Sequence, residues 1–220
     1  MLQAVIFDMD GVIIDSEPIY EEINRQIFSE LGIEVDQKKY AQYIGVTNQE
    51  MWSDIKREYS LPFPVNKLKE MQLSRSLEYM REGNKEPIPG IWELLNDLKK
   101  RGIYTALASS SSRQLVEVTL AGLQLDGYFD VLLSGDNVSR GKPEPEIFYN
   151  TASLLQVSPH CCIVIEDSNH GVKAAKAAGM ICIGFQNPNS IKQDLTEADF
   201  IVDDLSVIDF NYLQKIISSK

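Results

Sequence analysis

Short runs of apolar residues recur along the chain and are separated by longer stretches in which the apolar residues have helical spacing. The first run, residues 4–7, is apolar at every position and rich in residues that favour β-structure. This pattern is typical of a strand that is buried on both faces. Similar runs predict six strands, at residues 4–7, 104–109, 130–135, 162–167, 181–185 and 199–202.

Stretches with helical spacing precede or separate the later strands, at residues 90–102, 111–123, 145–157 and 169–180. Gly102 and Gly179 are suited to helix ends, and Pro145 is suited to a helix start. Strands that alternate with crossover helices predict an α/β fold with a parallel sheet and helices on both of its faces.

Residues 16–84 follow a different pattern, with several amphipathic helical stretches and no strand between them. We therefore expect a small all-helical domain, here called the helical insertion, after the first strand. The predicted organisation is a core of residues 1–15 and 85–220 with the helical insertion at residues 16–84. The hinges of the helical insertion are expected at residues 15–18 and 83–89.

Length and charge narrow the possible functions. A chain of 220 residues suits one core with an inserted module. The net charge of −11 would repel phosphate backbones and anionic lipid. We therefore expect neither a nucleic-acid partner nor a membrane partner.

The cysteines and the N-terminus bear on the cellular compartment. Cys161, Cys162 and Cys182 form an odd set, which favours buried, reduced thiols over catalysis or metal binding. The N-terminus has no basic segment followed by a long apolar stretch, and no run approaches the ~20 apolar residues of a membrane span. These features predict a cytoplasmic protein.

The sequence FDMDG, residues 7–11, places two carboxylates directly after the first predicted strand. Alternate residues of an extended chain point to the same side, so Asp8 and Asp10 can face the same crevice. Gly11 permits a tight turn behind them. The alternative interpretation is a surface turn with two incidental acids.

Polar residues also follow the other predicted strands: Ser109, Lys142, and the pair Glu166 and Asp167. Parallel strands bring their carboxyl ends to one edge, so these side chains should converge with Asp8 and Asp10. Crowded carboxylates repel one another, and a hard cation is the simplest remedy. Because all the candidate ligands are oxygen donors, Mg²⁺ is favoured over Zn²⁺.

The order and spacing of these motifs resemble those of the haloacid dehalogenase superfamily of phosphotransferases, in particular its β-phosphoglucomutase-like subgroup. The likeness covers essentially the whole chain, through FDMDG, Ser109 in ASSSS, Lys142 in GKPEPEIF, and IEDSNHG. It implies a Rossmann-like core, with the helical insertion as a cap domain, and phosphate-ester chemistry.

The resemblance also implies a role for each matching residue. Asp8 would attack phosphorus and form an aspartyl phosphate, while Asp10 would act as general acid and base. Ser109, Lys142 and the backbone N–H group of Ser110 would hold the phosphoryl oxygens. Mg²⁺ would bind the Asp8 and Asp167 side chains and the backbone carbonyl of Asp10, with Glu166 binding it directly or through water.

Neighbouring polar residues have structural interpretations. Ser111 and Ser112 follow a strand and open a helix, so they are expected to be N-cap residues. His170 lies just past Asp167 at the start of a predicted helix; it could touch the site, but a structural role is favoured because the sequence shows no paired acid.

The helical insertion should select the substrate, because it would close over the crevice. Candidate substrate-binding residues are Tyr20, Gly45, Thr47, Asn48 and Arg75. Thr47 also suits a helix N-cap, and an arginine such as Arg75 is also typical of an exposed helix face. In β-phosphoglucomutases the corresponding positions carry arginine and histidine, whereas this chain has Asn48 and Tyr20. The substitutions count against a mutase, because they remove a cation for a second phosphate and a partner for Asp10.

The prediction is a Mg²⁺-dependent phosphatase that hydrolyses a small phosphorylated metabolite, a sugar or polyol monophosphate, through an aspartyl phosphate. One alternative is a β-phosphoglucomutase or related hexose-phosphate mutase, which uses the same Asp8 but excludes water from the intermediate. A further alternative is a non-catalytic metabolite sensor that keeps the fold. We expect a monomer.

Overall fold

A computed structural model describes residues 1–43, 47–82, 85–190 and 192–218. Its centre is a sheet of six strands: β1 (Ala4–Phe7), β2 (Tyr104–Ala108), β3 (Val131–Leu133), β4 (Cys162–Glu166), β5 (Ile181–Phe185) and β6 (Phe200–Val202). The strand order is β3-β2-β1-β4-β5-β6, and all neighbouring strands are parallel. The predicted α/β fold class is confirmed, although several strands are shorter than expected.

The helices of the described residues are α1 (Glu17–Glu30), α2 (Gln37–Tyr40), α3 (Asn48–Glu58), α4 (Val65–Arg81), α5 (Ile91–Lys100), α6 (Arg113–Gly122), α7 (Glu146–Leu154), α8 (Asn169–Ala177) and α9 (Phe210–Ser218). The first four lie within residues 16–84, between β1 and α5, as the change of pattern predicts. Short 3₁₀ turns complete several connections.

Both faces of the sheet are covered by helices. β1 is central and fully buried: Val5 and Phe7 pack on the side of α5, α6 and α9, whereas Ala4 and Ile6 pack on the side of α7 and α8. Burying apolar surface on both faces accounts for the uninterrupted apolar runs of the inner strands. It also leaves the carboxyl edge of the sheet as the place where polar side chains can gather.

The helical insertion has an apolar cluster of its own, centred on Trp52, which is fully buried. The end of α4 nevertheless packs with the core cluster, through Leu77 and Met80. There α4 lies against α6 so closely that a Cβ atom on Gly122 would be 2.7 Å from the backbone oxygen of Met80. The helical insertion is therefore joined to the core by a packed helix end as well as by the chain itself.

Three expectations need comment. Within residues 16–84, the helical pattern near residue 40 forms α2 followed by a 3₁₀ turn, Ala41–Tyr43, and not one continuous α-helix. The C-terminal helix α9 is absent from the sequence prediction, although its buried residues Leu213, Ile216 and Ile217 have helical spacing. Gly45, and residues 83 and 84 of the expected second hinge, lie outside the described residues.

The cysteines are free thiols. Cys162 and Cys182 are buried in the apolar cluster beside α8, where burial raises the pKa of both thiols. Among the described helices, none is long and apolar enough to cross a bilayer.

Candidate active site

The loop after β1 presents the two predicted carboxylates. Asp8 continues the strand, since its N–H group donates to the carbonyl oxygen of Ile165, 3.0 Å away. The chain then turns at Gly11, whose φ of +77° favours glycine. A Cβ atom at Gly11 would also be 2.0 Å from Oδ2 of Asp167. Glycine is therefore needed both for the turn and for the room that Asp167 occupies.

Lys142 connects three of the strand ends. Its Nζ donates to Oδ1 of Asp8, to Oε1 of Glu166 at 2.7 Å and to the carbonyl oxygen of Ala108 at 3.0 Å. The Lys142 and Glu166 side chains are 6% and 1% exposed. A buried cation held by two carboxylates and a carbonyl is an ordered, desolvated arrangement. The structure thus brings Asp8, Lys142 and Glu166 together.

Glu166 uses both carboxylate oxygens. Oε1 accepts from Lys142, while Oε2 accepts from the backbone N–H and the hydroxyl of Ser168, both at 2.9 Å. Gly171 is required here, because a Cβ atom at that position would lie 1.6 Å from Oε1 of Glu166. The glycine of IEDSNHG therefore makes room for the glutamate of the same motif.

Asp10 is held from two sides. The Tyr20 hydroxyl donates to Oδ1 and the Ser111 hydroxyl donates to Oδ2, each at 2.9 Å. Burial and the charge of Asp10 raise the pKa of Tyr20 well above its ordinary value, so the phenol keeps the proton that it donates. The expectation that Tyr20 deprives Asp10 of a partner is wrong, because a phenol on α1 reaches the carboxylate.

The four serines at residues 109–112 make different contacts. Ser112 caps α6 by accepting from the N–H group of Leu115, as predicted, whereas Ser111 bonds Asp10 instead of capping the helix. Ser109 is fully buried, and its hydroxyl oxygen accepts from the N–H group of Ser111 at 3.0 Å. Ser110 lies on the cavity surface. Residues 109–112 therefore form an ordered loop after β2, and the Ser111 hydroxyl links this loop to Asp10.

Negative charge exceeds positive charge at this edge. Burial raises the pKa of Asp8 to about 8, with Glu166 and Asp10 adding to the rise and Lys142 opposing it. Burial, Glu166 and Asp8 likewise raise the pKa of Asp167 well above its ordinary value. Burial lowers the pKa of Lys142, but the charges of Asp8 and Glu166 outweigh it, so the pKa is raised overall. The site strongly favours an additional positive charge.

The carboxylates do not face one another as a ready ligand cage. Among the described residues, no group of three or more His, Cys, Asp or Glu side chains is placed to hold a metal ion. The reason lies in their present partners, since Asp8 and Glu166 face Lys142 while Asp10 faces Tyr20 and Ser111. Asp167 has no hydrogen-bond donor within the described part of the chain.

A cavity of about 390 Å³ opens above these groups. Apart from one glycine, the described residues that line it have polar or charged side chains: Asp8, Asp10, Gly11, Asp15, Ser16, Glu17, Tyr20, Ser110, Lys142, Glu166, Asp167, Ser168, Asn169, His170, Asn187, Ser190 and Gln193. This volume lies within the range of small-molecule sites, ~300–1,000 Å³. His170, which was interpreted as structural, faces this cavity.

The predicted residues of the helical insertion behave differently. Thr47 caps α3, accepting from the N–H group of Glu50 at 3.2 Å while Glu50 bonds back to it. The Arg75 side chain is 41% exposed and pairs with Glu30 and Glu78. Neither these two residues nor Asn48 is among the described residues that line the cavity. Of the predicted residues of the helical insertion that the structure describes, Tyr20 lines the cavity.

The loop after β5 supplies a contact that sequence reasoning missed. The Asn187 amide, 3% exposed, donates to the carbonyl oxygen of Gly11 at 3.2 Å and to Asp15 at 3.3 Å. Asn189 donates to the other oxygen of Asp15 at 2.8 Å. The strand-end rule that selected Glu166 applies equally to the polar residues after β5. It would have identified Asn187.

Comparison with known proteins adds an independent finding. Residues 5–185 match the family described as haloacid dehalogenase-like hydrolase. The phosphorylated carbohydrates phosphatase of Thermotoga maritima is 35% identical over 179 residues, covering 81% of this chain and 82% of that protein.

Two solved structures are similar over nearly their whole length. CbbY from Rhodobacter sphaeroides, in complex with phosphate, has a TM-score of 0.87 and 27% identity, covering 97% of this chain and 100% of that one. The β-phosphoglucomutase of Clostridium difficile has a TM-score of 0.82 and 28% identity, covering 100% of this chain and 98% of that one.

Proposed function

Since the chain belongs to the haloacid dehalogenase-like hydrolase family and is a phosphoric monoester hydrolase, we propose that it is a Mg²⁺-dependent phosphatase for a small sugar or polyol monophosphate. The observation that carries this proposal is the buried Asp8, Lys142 and Glu166 cluster beneath a polar cavity. The similarity to a phosphatase for phosphorylated carbohydrates supports the substrate class.

Asp8 is the nucleophile in this proposal. Its Oδ1 is fixed by Lys142, which leaves Oδ2 without a donor among the described residues. A carboxylate oxygen of Asp8 attacks phosphorus, and the bond between phosphorus and the leaving oxygen breaks. Lys142, with the Ser110 N–H group, stabilises the negative charge on the phosphoryl oxygens. Ser109 supports this loop from below and can turn its hydroxyl proton toward the phosphate.

Asp10 moves the proton. As a carboxylic acid it protonates the leaving oxygen, and as a carboxylate it then takes a proton from the water that attacks the aspartyl phosphate. That attack breaks the bond between Asp8 and phosphorus and returns both carboxylates to their starting forms. The Tyr20 and Ser111 hydroxyls orient Asp10 for these transfers.

The donor set fits Mg²⁺. The residues that would hold the ion are Asp8 and Asp167 through their carboxylates and Asp10 through its backbone carbonyl, all oxygen donors. Asp167 lacks a donor within the described residues, and burial together with the neighbouring carboxylates raises its pKa, as expected where a cation is needed. Glu166 would hold the ion directly or through water, and the hydrogen bonds that both of its oxygens already accept favour the contact through water. When bound, the ion would offset the charge of the phosphate dianion.

The remaining expectations complete the proposal. The helical insertion, residues 16–84, acts as a cap on a core of residues 1–15 and 85–220, which its separate apolar cluster supports. The acidic composition and free thiols fit a cytoplasmic enzyme. The protein works as a monomer on a small metabolite, without nucleic-acid or membrane partners.

A substrate panel tests the proposal. Purified protein is incubated with Mg²⁺ and phosphorylated sugars and polyols, while free phosphate and isomerised sugar phosphate are followed together. We expect phosphate release that is abolished by a chelator, restored by Mg²⁺ and lost in Asp8→Asn. Isomerised hexose phosphate with little free phosphate would instead establish the mutase. No turnover of any ester, with binding retained, would favour the sensor.

A further inference from the structure

Part of the cavity lining, here called the wall, comes from the residues around the start of α1 and from the loop after β5. On this wall lie Glu17 and Asp15, with Asn187, Ser190 and Gln193. Lys142 is the sole lysine or arginine among the described residues of the lining, and Asp8 and Glu166 already hold it. Among the described residues, the wall therefore offers hydrogen-bond acceptors and amides but no lysine or arginine, and His170 lies on another part of the lining.

Two acids on this wall differ in their surroundings. Asp15 accepts hydrogen bonds from the amides of Asn187 and Asn189, so its charge has partners. Glu17 is half-buried, and it has neither a hydrogen-bond donor nor an ion-pair partner within the described residues. Burial, Glu21 and Asp10 raise the pKa of Glu17 to about 7.

The position of Glu17 on α1 places its carboxylate at the cavity. It is the first residue of α1, one helical turn before Tyr20, which bonds the proposed proton donor Asp10. Residues three apart share a helix face, so Glu17 faces the cavity beside the leaving-group side of the phosphate. An acid in the first turn of a helix also interacts favourably with the helix dipole. That interaction is available to an exposed side chain, so it does not explain why Glu17 is half-buried in the cavity lining.

We propose that Glu17 is a specificity-determining residue that accepts hydrogen bonds from the hydroxyl groups of an uncharged polyol or sugar moiety. Neighbouring hydroxyls donate to a carboxylate and satisfy it, whereas a second phosphate or a carboxylate at this wall meets the negative charge of Asp15 and Glu17 and, among the described residues, no lysine or arginine that could pair with it. The enzyme thus selects monophosphates of neutral polyhydroxy compounds. This inference rests on the proposed phosphatase function.

The test compares Glu17→Gln with wild type on four probes: a hexitol monophosphate, a hexose monophosphate, the matching hexose bisphosphate and an aryl phosphate that lacks hydroxyls. The matched control is Glu21→Gln, one turn further along α1, where the glutamate pairs with Arg25. Glu17→Asp keeps the charge and serves as the conservative variant. Melting temperatures report on folding.

We expect Glu17→Gln to raise KM for the polyol and sugar monophosphates by about 10- to 100-fold, the range for losing a hydrogen-bonded charge. Its kcat and its hydrolysis of the aryl phosphate should stay near wild type. Glu17→Asp should recover part of the loss, and Glu21→Gln should match wild type. Wild type should strongly prefer the monophosphate to the bisphosphate, and Glu17→Gln should narrow that preference.

The inference is overturned if Glu17→Gln changes KM equally for the aryl and polyol phosphates, or if wild type accepts the bisphosphate as readily as the monophosphate. Either result leaves the phosphatase proposal standing, because the aryl phosphate is still hydrolysed. If wild type hydrolyses none of the four probes, the proposed function fails, and the inference fails with it.

Discussion

Two clusters of buried polar side chains, one in the helical insertion and one at the sheet edge, are built on opposite principles. In the helical insertion, Trp52 donates to Gln72 at 2.9 Å, Gln72 to Asn24 at 3.0 Å, and Asn24 to the Tyr40 hydroxyl at 3.0 Å. All four side chains are neutral. Their hydrogen bonds are made within the cluster, as a stable buried network requires.

The cluster at the sheet edge is charged and incompletely satisfied. Lys142 holds Asp8 and Glu166, but Asp10 and Asp167 add two further carboxylates, and the pKa values of Asp8 and Asp167 are raised. Such an excess destabilises the folded state unless a ligand compensates for it. The contrast shows that satisfied buried polarity holds a fold together, whereas surplus buried charge indicates a site prepared for a ligand.

Replacing Lys142 by methionine should produce the largest effect. Without the cation, Asp8 and Glu166 are buried carboxylates with no counter-charge, so we expect a stability loss of about 3–5 kcal/mol. The phosphoryl oxygens also lose a positive partner, so kcat should fall by about 10²- to 10³-fold. Urea unfolding and initial-rate kinetics measure the two losses.

A matched control for this variant is Lys176→Met, since Lys176 pairs with Asp199 at 2.5 Å, away from the cavity. The control should lower stability less and leave kcat/KM near wild type. Equal kinetic losses in both variants would contradict the role given to Lys142.

Tyr20→Phe tests the contact that joins the two regions. Removing the hydroxyl takes one donor from Asp10, and a hydrogen bond to a charged group contributes about 1.5–3 kcal/mol. We expect kcat to fall by about 10- to 100-fold with a smaller change in KM, because the Tyr20 hydroxyl positions Asp10 for proton transfer. A rise in KM alone would assign Tyr20 to substrate binding.

Gln72→Met breaks the neutral network, and it should lower stability while leaving activity unchanged, which is the reverse of the effect expected for Tyr20→Phe. Trp52 and Asn24 each lose a partner in a buried setting, so stability should fall by about 1–3 kcal/mol. Activity at a temperature where the variant is folded should remain near wild type. A large fall in kcat/KM without a loss of stability would contradict the purely structural role given to the neutral network.

The smallest expected effect concerns Glu17 and pH. Burial and nearby carboxylates raise the pKa of Glu17 from 4.5 to about 7 in the folded protein, so between these values the folded state holds the extra proton. Wild-type stability therefore falls as pH rises through this window. As the pH is raised from 4.5 to about 7, the melting temperature of Glu17→Gln should therefore increase relative to that of wild type. A difference that does not vary with pH would contradict the raised pKa.

The fold was largely predictable because the inner strands are buried on both faces, which makes their sequences continuously apolar. The short outer strands β3 and β6 were predicted too long, since polar residues at their ends leave the sheet. In α9, Leu213, Ile216 and Ile217 have helical spacing, yet the segment also contains β-favouring residues that mask the pattern.

The strand-end rule predicted that Asp8, Lys142 and Glu166 meet, because topology alone brings them together. It did not predict how Asp10 is held. Ser111 bonds Asp10 across 101 positions of the sequence, and Tyr20 depends on how α1 lies over the crevice. Such contacts depend on side-chain geometry, which periodicity does not encode.

The most direct test of the central claim is to trap the intermediate. Wild-type protein is mixed with Mg²⁺ and a monophosphate that it hydrolyses, quenched in acid within one turnover and digested, and the peptide containing Asp8 is weighed. The account predicts a peptide heavier by one phosphoryl group, with the modification on Asp8 and absent in Asp8→Asn. Phosphate release in the same sample with an unmodified Asp8, or with the phosphoryl group on another residue, would contradict it.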